Sequence, residues 1–548
     1  MSYWLLRVAQ SDRFYRSNGN ALSQTTIPLP PSPSPSIAST AAMLASHTLR
    51  PPPYSEQHIA LFPSFIFTSN PSSPLVHVHL SSTSTTSDIA SAAHLGIIPP
   101  PRGWSSPTRP DNVTAICADQ SVVLPEEDPA DSSGLKLALP ARLAVFYQSG
   151  GFVILRARLL SGEQPRLSWT REAVHPAQSR PRSIRRRATT YTPLEGDSIV
   201  LASMHYPVLL TCTLAFHLSV YAVSPQTSGE PARPKHLQTM HSDVSFHPAA
   251  LALSPTSLIA DVSTASDSSL RNFRAALTYC TPLYPSSWTV AVQEFGVDLA
   301  HSPTSTTPTG DVWRGECWNV GRGDEGMEDR PIWPRKVRPI IGVKGKAVGV
   351  GMDGRWCVLA GEDNQIQVYS LPTPSSSPPP KLSPIVHSQT LLAHSAAVTS
   401  ISLSAGRCVS GGRDGRVLVW ELDEDVDDES DGRTGRTVGY VEVRQGGRRT
   451  IWRGAAGPGP EDDDEDLSGI YEGLPHPQSI SSAARSLFLP RPPYLSSPAM
   501  IETQPPAIRQ LAFDEEKIVG LVRTERGGRG GGYGPQVAEV MKVWSFNA

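Results

Sequence analysis

The stretch from Leu391 to Leu422, LLAHSAAVTSISLSAGRCVSGGRDGRVLVWEL, decides the fold because the chain contains a second, ungapped version of it. That version, IIGVKGKAVGVGMDGRWCVLAGEDNQIQVYSL, begins 51 residues earlier and runs from Ile340 to Leu371. Apolar positions and turn residues match column by column, and Trp420 aligns with Tyr369. Repetition at about 40 to 50 residues indicates a propeller or a solenoid.

Each copy has the pattern of three short antiparallel strands. Alternation begins at Val398, a second run covers Arg407 to Ser410, and a third covers Val417 to Trp420. Gly411 to Gly415 has the composition of a tight turn between the last two runs. Such a small sheet cannot bury both faces alone, so it needs neighbours of the same kind, which radial closure supplies.

A third copy lies near the C-terminus and contains an insertion. An offset of 110 residues aligns Ile401 with Leu511, whereas Trp420 aligns with Trp544 only at an offset of 124 residues. The difference, 14 residues, falls in Arg526 to Gly534, where the other copies have their tight turn. Glycine and arginine dominate this segment, which predicts a flexible loop in place of the turn.

The second copy resembles a WD repeat. The resemblance rests on Leu391 to His394 and Val409 to Trp420, with Glu421 where the family usually has aspartate. In that family a histidine, a serine or threonine, an aspartate and a tryptophan form a hydrogen-bonded chain that locks each blade. The resemblance assigns this role to His394, Ser410, Asp414 and Trp420. The first copy keeps Asp363 but has Val343, Leu359 and Tyr369 at the other places, and the third copy has Trp544.

Further strand-like blocks predict an all-β, WD-repeat-like β-propeller of seven blades with long disordered Pro/Ser-rich insertions. Residues 1–54 are expected to be a mostly disordered N-terminal segment, and residues 55–548 a divergent propeller. Propellers of this family close by pairing the last blade with an early strand, so we expect Ile59 to Phe67 to pair with the blade that ends at Trp544. The clearest blades are 340–371, 391–445 and 508–546; the earlier blocks are His58 to Leu80, Val113 to Leu160, Ser198 to Val223 and Asn272 to Val297.

Composition agrees with a propeller that carries many segments outside its core. The 548 residues include 53 prolines, about twice the usual share, and Ser/Pro tracts bury too little apolar surface to offset the entropy lost on ordering. The net charge of −3 gives no global bias toward nucleic acid or anionic membranes. Locally, Arg180 to Arg187 is basic, whereas Asp423 to Asp431 and Glu461 to Asp466 are acidic. We interpret these runs as solvated loop tips, with nuclear import as the alternative for the arginine run.

Cysteine spacing and hydropathy argue against several other classes. The six cysteines include no CxxC pair and no cysteine-histidine cluster, so no metal, cofactor or disulfide framework is expected. Unpaired cysteines are typical of a reducing compartment, which predicts a cytoplasmic and/or nuclear location. Ile199 to Val223 has no Asp, Glu, Lys or Arg. Its histidine, proline, serine and threonine residues nevertheless favour strands over a membrane-spanning helix, and no membrane partner is expected.

No group of residues with catalytic spacing emerges, so the chain is expected not to be an enzyme. The glycines near Gly342 lack the Gly-Lys-Ser/Thr sequence and the following helix of a phosphate loop. His394 and Asp414 have the chemistry of an acid-base pair, but the blade-locking role accounts for both. The preferred function is a non-enzymatic scaffold or adaptor that binds other proteins through the top face and loops of the propeller.

Two more specific functions follow from the sequence. The chain resembles the F-box and WD-repeat substrate receptors of ubiquitin ligases, which implies ubiquitin-ligase components as partners, although no F-box is recognisable before the proline-rich segment that starts at Ile27. The alternative is an RNA- or nucleic-acid-associated propeller that uses the arginine-rich loops Arg180 to Arg187 and Arg523 to Arg529.

Overall fold

A computed structural model of the chain shows strands, turns and extended connections, and the described residues contain no helix. The described strands form six four-stranded antiparallel sheets, one five-stranded antiparallel sheet and one short parallel pair. The all-β, seven-bladed prediction is therefore confirmed. The described residues are 20–21, 23–29, 57–81, 94–106, 110–121, 140–160, 166–176, 197–224, 231–241, 247–255, 271–283, 287–302, 312–319, 335–336, 349–353, 355–360, 364–371, 386–404, 406–422, 440–445, 506–514, 517–526 and 536–546.

The first three blades follow two N-terminal strands, β1 (Asn20–Ala21) and β2 (Ser23–Pro28). Each blade takes four consecutive strands, and each strand pairs antiparallel with the next. Blade one contains β3 (His58–Leu61), β4 (Phe65–Ser69), β5 (Val76–Leu80) and β6 (His94–Ile98). Blade two contains β7 (Val113–Ala118), β8 (Ala141–Tyr147), β9 (Phe152–Leu160) and β10 (Arg166–His175). Blade three contains β11 (Ile199–His205), β12 (Val208–Thr213), β13 (His217–Ala222) and β14 (Lys235–His241).

The remaining four blades contain the three sequence repeats. Blade four contains β15 (His247–Pro255), β16 (Arg271–Leu283), β17 (Ser287–Ser302) and β18 (Val312–Asn319), with β19 (Arg335–Lys336) paired to β17. Blade five contains β20 (Gly349–Met352), β21 (Trp356–Ala360), β22 (Gln365–Ser370) and β23 (Val386–Leu392). Blade six contains β24 (Val398–Ser404), β25 (Arg407–Gly412), β26 (Val417–Glu421) and β27 (Tyr440–Glu442), followed by β28 (Arg444–Gln445). Blade seven contains β29 (Ala507–Phe513), β30 (Lys517–Arg526) and β31 (Gln536–Ser545), and β2 is its fourth strand.

The first strand of every blade lies against the first strand of the next, and the circle closes between blades seven and one. These seven strands are β3, β7, β11, β15, β20, β24 and β29, which form the inner ring of the propeller. The core is divided in the same way, because one apolar cluster lies between each adjacent pair of blades. Alternation along a strand explains this: Cys408 packs toward blade five, whereas Val409 packs toward blade seven.

The closing strand is not the one that the sequence predicted. Ile59 pairs with Thr68 inside blade one, so the expectation for Ile59 to Phe67 was wrong. The closing strand is β2, in which Gln24 pairs with Trp544 and Ile27 with Met541. Part of residues 1–54 is therefore propeller. Just before it, β1 pairs in parallel with β28 of blade six, so this short N-terminal stretch fastens two blades.

The insertion in the third repeat extends a hairpin. Leu521 and Met541 occupy the register positions of Gly411 and Val417, the last pair before the tight turn of blade six. In blade seven the pairing continues for five more residue pairs and ends at Arg526 and Gln536. Of the predicted loop, Arg526 to Gly534, only Arg526 is described, and its pairing contradicts the prediction at that residue; within this hairpin, residues 527–535 lie outside the described part of the chain.

One local prediction from the first half of the chain, strands in place of a membrane-spanning helix in Ile199 to Val223, is confirmed. Ile199 to Val223 contains the three strands β11, β12 and β13, and Val223 directly follows the last of them. The hairpin β8–β9 turns at Gln148 to Gly151, where Gly150 has a φ of 84°, a value that favours glycine. No helix in the described residues is long and apolar enough to cross a membrane. Asp363, Val343, Arg180 to Arg187 and both acidic runs lie outside the described residues.

Candidate functional site: the two faces of the ring

Antiparallel strands place the connections of each blade on two opposite faces. We define the top face as the one that carries the turns between second and third strands and the connections from one blade to the next. The bottom face carries the turns between first and second strands and between third and fourth strands. His394 precedes β24 and Asp414 lies between β25 and β26, so both belong to the top face.

His394, Ser410, Asp414 and Trp420 form one chain of hydrogen bonds in blade six. The Nε1 of Trp420 donates to Ser410 Oγ at 2.9 Å, and His394 Nε2 lies 2.9 Å from the same Oγ. His394 Nδ1 lies 3.1 Å and 3.2 Å from the two carboxylate oxygens of Asp414. Because indole can only donate and a carboxylate can only accept, the hydroxyl of Ser410 donates to Nε2 and the Nδ1–H of His394 donates to Asp414.

The carboxylate of Asp414 is held ionised by its neighbours. Its oxygens also accept from the amides of Ser395 at 2.9 Å and Arg416 at 3.1 Å. Burial alone would raise the pKa of Asp414, but the hydrogen bonds from His394 and from these amides outweigh it and lower the pKa to about 2. A Cβ on Gly412 would lie 2.5 Å from Asp414 Oδ1 and 2.7 Å from His394 Nδ1, so the cluster has no room for another group.

In blades two and three an aspartate also links the connection before the first strand to the turn between the second and third strands. There, however, the aspartate lies on the connection and not in the turn. Asp197 precedes β11, and its carboxylate accepts from the Ala215 amide at 3.1 Å, Thr213 Oγ1 at 2.8 Å and the histidine His217, whose Nδ1 lies at 2.5 Å. Asp111 precedes β7 and accepts from the Ser149 amide at 2.8 Å. In blade six the turn supplies the carboxylate, whereas in these blades the turn supplies the amide.

Sequence analysis missed Asp111 and Asp197 because the first half of the chain has no alignable repeat. Their shared signal is an aspartate two residues ahead of a β-branched residue that starts a strand. The strand register also places Thr211 and Tyr221 of blade three where blade six has Ser410 and Trp420.

A second set of aspartates links neighbouring blades on the bottom face. Asp353 Oδ2 in blade five accepts from the Gly406 amide of blade six at 2.8 Å, and Asp119 Oδ1 in blade two accepts from the Tyr206 amide of blade three at 3.0 Å. Offsets of 51 and 110 residues, read from the repeats, put Asp353 and Asp514 in one column. That signal was available from the sequence and was overlooked.

Asp514 has the corresponding position in blade seven, where the link to blade one is made by a lysine. Asp514 Oδ1 accepts from the Lys517 amide at 2.9 Å. Lys517 is 1% exposed, and its ammonium donates to the carbonyl of Pro63 in blade one. A buried lysine therefore spans the seam at which the ring closes.

Of the other predicted blade-locking residues, Tyr369 lies in blade five and Trp544 in blade seven. Tyr369 is buried between blades four and five, where its hydroxyl donates to Gln367 Oε1 at 2.7 Å. Burial raises the pKa of Tyr369 to about 12, so its hydroxyl stays a donor at neutral pH. Trp544 is buried between blades six and seven and packs over Gly520, whose Cβ position lies 3.0 Å from Trp544 Cζ3. Asp363 lies outside the described residues.

The described residues contain no grouping of three His, Cys, Asp or Glu side chains that could hold a metal ion. Cys117, Cys212, Cys357 and Cys408 are buried and unpaired. Burial raises the pKa of the Cys117 and Cys212 thiols to about 12, so both remain protonated thiols at neutral pH.

Comparison with protein families finds a match over residues 179–527 to the family described as "F-box protein pof12 beta-propeller". The matched segment covers more than half of the 548 residues. The chain belongs to this family. The pof12 propeller match includes the blade-six cluster and β11 to β30, whereas blades one and two precede it.

No curated protein matches the chain. Among solved structures, the computationally designed Ika8 protein is 10% identical with a TM-score of 0.33, covering 90% of this chain and 96% of that chain. Sqt1 of Saccharomyces cerevisiae is 9% identical with a TM-score of 0.32, and the match covers 74% of this chain and 86% of that chain. Raptor of Chaetomium thermophilum is 10% identical with a TM-score of 0.35, covering 98% of this chain and 30% of that chain.

Proposed function

We propose that the chain is a non-enzymatic scaffold or adaptor that binds other proteins through the loops of its closed propeller. In the more specific form of this proposal, it is a substrate receptor in ubiquitin-dependent degradation that works in the cytoplasm and/or nucleus. Membership of the F-box protein pof12 propeller family supports a role in protein interaction. A ring whose neighbouring blades are linked by hydrogen bonds on the bottom face, and whose top-face connections are held within blades, is a rigid support for such loops.

The observation that carries the proposal is the blade-six cluster. His394 and Asp414 are the residues most suited to acid-base catalysis, yet both ring nitrogens and both carboxylate oxygens have partners within the blade. The side chain of His394 is fully buried, and that of Asp414 is 5% exposed. A general base must reach its substrate proton, so the geometry supports a structural role for this pair.

The test is affinity purification of the tagged full chain followed by quantitative mass spectrometry. Wild type and a variant that lacks Val540 to Phe546, which is expected to lose the folded propeller, are compared at equal abundance. Partners recovered with wild type and lost with the variant would support the scaffold function. A cullin-ligase adaptor among them would support the receptor form.

The outcomes separate the two levels of the proposal. A reproducible set of partners without ligase components would contradict the receptor form and leave the scaffold function in place. The absence of any partner that depends on the folded ring would contradict both. Turnover of a substrate that persists in purified wild type and disappears in the variant would contradict the non-enzymatic assignment.

A further inference from the structure

Charge is distributed unevenly around the ring. We use the name basic rim for the two outer strands of blades two and three together with Pro231 to Pro234. The described residues of this rim include six arginines and lysines and a single acid. They are Arg156, Arg158, Arg166, Arg171, Arg233 and Lys235, and the acid is Glu172. By contrast, the outer strands β26 and β27 of blade six contain Glu421 and Glu442 and no basic residue.

The only acid of the described rim is already neutralised. Glu172 is 7% exposed, and its carboxylate accepts from Nε of Arg142 at 2.6 Å. It also lies 3.7 Å from Nη1 of Arg156. The guanidinium of Arg142 is fixed in turn by Asp119 at 2.9 Å and by the ring of Tyr206, whose centroid lies at 4.0 Å. The remaining positive charge of the rim is therefore not cancelled by Glu172.

A strap from blade three fixes part of the rim on blade two. Ala232 pairs in parallel with Ala173 at the edge of β10. The Ala232 amide donates to the carbonyl of Glu172 at 2.8 Å, and the Val174 amide donates to the carbonyl of Ala232 at 3.0 Å. The next residue, Arg233, is exposed. The strap thus fixes the backbone next to a basic side chain, which lowers the backbone entropy lost when a partner binds.

The half-buried His175 lies near other basic side chains of the rim. Burial lowers the pKa of His175, and its neighbours His236 and Arg233 lower it further. His175 ends β10, and the chain then continues into residues 177–196, which contain five arginines and one glutamate. The sequence that follows β10 is therefore basic in composition.

We propose that the basic rim binds an acidic segment of a protein partner. This inference rests on the proposed scaffold function. An acidic peptide is favoured over nucleic acid because the large aromatics here are buried or covered: Phe152 and Tyr221 are 0% and 5% exposed, and the Arg171 guanidinium lies over Trp169. Single-stranded nucleic acid binds through exposed aromatic stacking platforms. The strands β26 and β27 of blade six, which flank the acidic run Asp423 to Asp431 in the sequence, lie three blades from the rim in either direction.

The test is fluorescence anisotropy of a labelled twelve-residue polyglutamate peptide with the purified full chain. The rim variant is Arg166→Glu with Arg233→Glu, since both side chains are exposed. The control is Arg413→Glu with Arg509→Glu, two exposed residues of blades six and seven that give the same change in net charge. Unchanged melting temperatures establish that both variants are folded.

We expect binding at about 50 mM salt that weakens as salt rises, because such contacts are screened within about a Debye length. The rim variant should bind at least about ten-fold more weakly, and the control should stay within about two-fold of wild type. Equal weakening in both variants, or no binding at low salt, would overturn the proposal. Tighter binding of a twenty-nucleotide oligouridylate that is lost in the rim variant would replace it with a nucleic-acid surface.

The same variants separate this proposal from the one on which it rests. In the affinity purification, partners that are recovered with wild type and retained with the rim variant would leave the scaffold function standing and contradict the rim as the binding surface. Partners lost from the rim variant and kept by the control would support both. If neither wild type nor the control recovers a partner, the scaffold function itself fails.

Discussion

The indole Nε1 of Trp420 donates to Ser410 Oγ at 2.9 Å in the buried contact between blades five and six. The bond connects an apolar cluster to the polar cluster of the top face, because the same hydroxyl faces His394. A single side chain thus packs against blade five and holds the hydroxyl that orients the histidine. Packing and hydrogen bonding can be separated by substitution.

Trp420→Ala removes both contributions and should lower the free energy of unfolding by about 3 to 5 kcal/mol. Trp420→Phe keeps most of the ring but loses the donor, so the loss should be smaller, at about 1 to 3 kcal/mol. Urea unfolding followed by tryptophan fluorescence and circular dichroism measures both. A loss for phenylalanine as large as that for alanine would show that the hydrogen bond, not packing, dominates.

Gly411→Ala should overpack the contact between blades six and seven and lower the stability of the propeller. Its Cβ would lie 2.5 Å from Ile508 Cγ2 and 2.9 Å from Leu511 Cδ1, both across the blade interface. Overpacking of this kind costs about 1 to 3 kcal/mol. The matched control is Gly96→Ala, also in a strand, where the nearest atom is Leu167 Cδ2 at 3.7 Å. If thermal unfolding shows the same change for both, the blade contact is not as close as described.

Stability should fall as the pH is lowered through the range of the buried histidines. Burial lowers the pKa of His58 to about 4, and burial together with His94 and His77 lowers that of His79 to about 4. The folded state therefore binds fewer protons than the unfolded state between about pH 6.5 and pH 4. Stability from these groups is present above the unfolded pKa and is lost as pH falls through this window.

Urea midpoints measured between pH 7.5 and pH 4 give the slope, and His58→Gln with His79→Gln should flatten it. His387→Gln is the control, because that residue is exposed and belongs to none of the aspartate clusters described above. An unchanged slope in the double variant would place the pH dependence elsewhere. Asp414, with a pKa lowered to about 2, should add a separate loss between about pH 4 and pH 2.

Removal of the closing strand should open the ring. Deletion of residues 1–28 takes away β2 and leaves β31 without its outer partner. We expect loss of cooperative unfolding and exposure of a sheet edge that promotes aggregation. Deletion of residues 1–19 keeps both β1 and β2 and is the control. Deletion of Val540 to Phe546 should unfold the propeller too, and a soluble, cooperatively folded product of either harmful truncation would contradict the closure.

The sequence predicted the parts of the fold in which apolar residues repeat. The column that aligns Trp420 with Tyr369 lies at the contact between blades, where packing constrains residue type. The closing strand was not predicted because Ser23–Pro28 contains one large apolar residue, Ile27. Its strand conformation depends on pairing with β31. Propensity at the edge of a sheet depends strongly on such context.

The top-face aspartates of blades two and three were not predicted for a different reason. Asp197 and Asp414 each join the connection before the first strand to the turn between the second and third strands. Asp197 lies on the connection and Asp414 in the turn, so no single column of an alignment contains both. What is shared is a hydrogen bond between two turns, and either turn can supply the acceptor. The extended hairpin of blade seven was missed because glycine and arginine near its tip outweighed the strand-forming residues at its base, such as Val522 and Val540.

Pairing between β2 and β31 makes closure a matter of timing during synthesis. About five hundred residues separate the two strands in the chain. At roughly 5 to 20 residues per second, β2 waits about 25 to 100 seconds after it leaves the ribosome before its partner is made. During that interval blades one to six can form while the final seam stays open. The nascent protein is thus an incomplete ring with two exposed edges, and it is in this period that chaperones would have the most to protect.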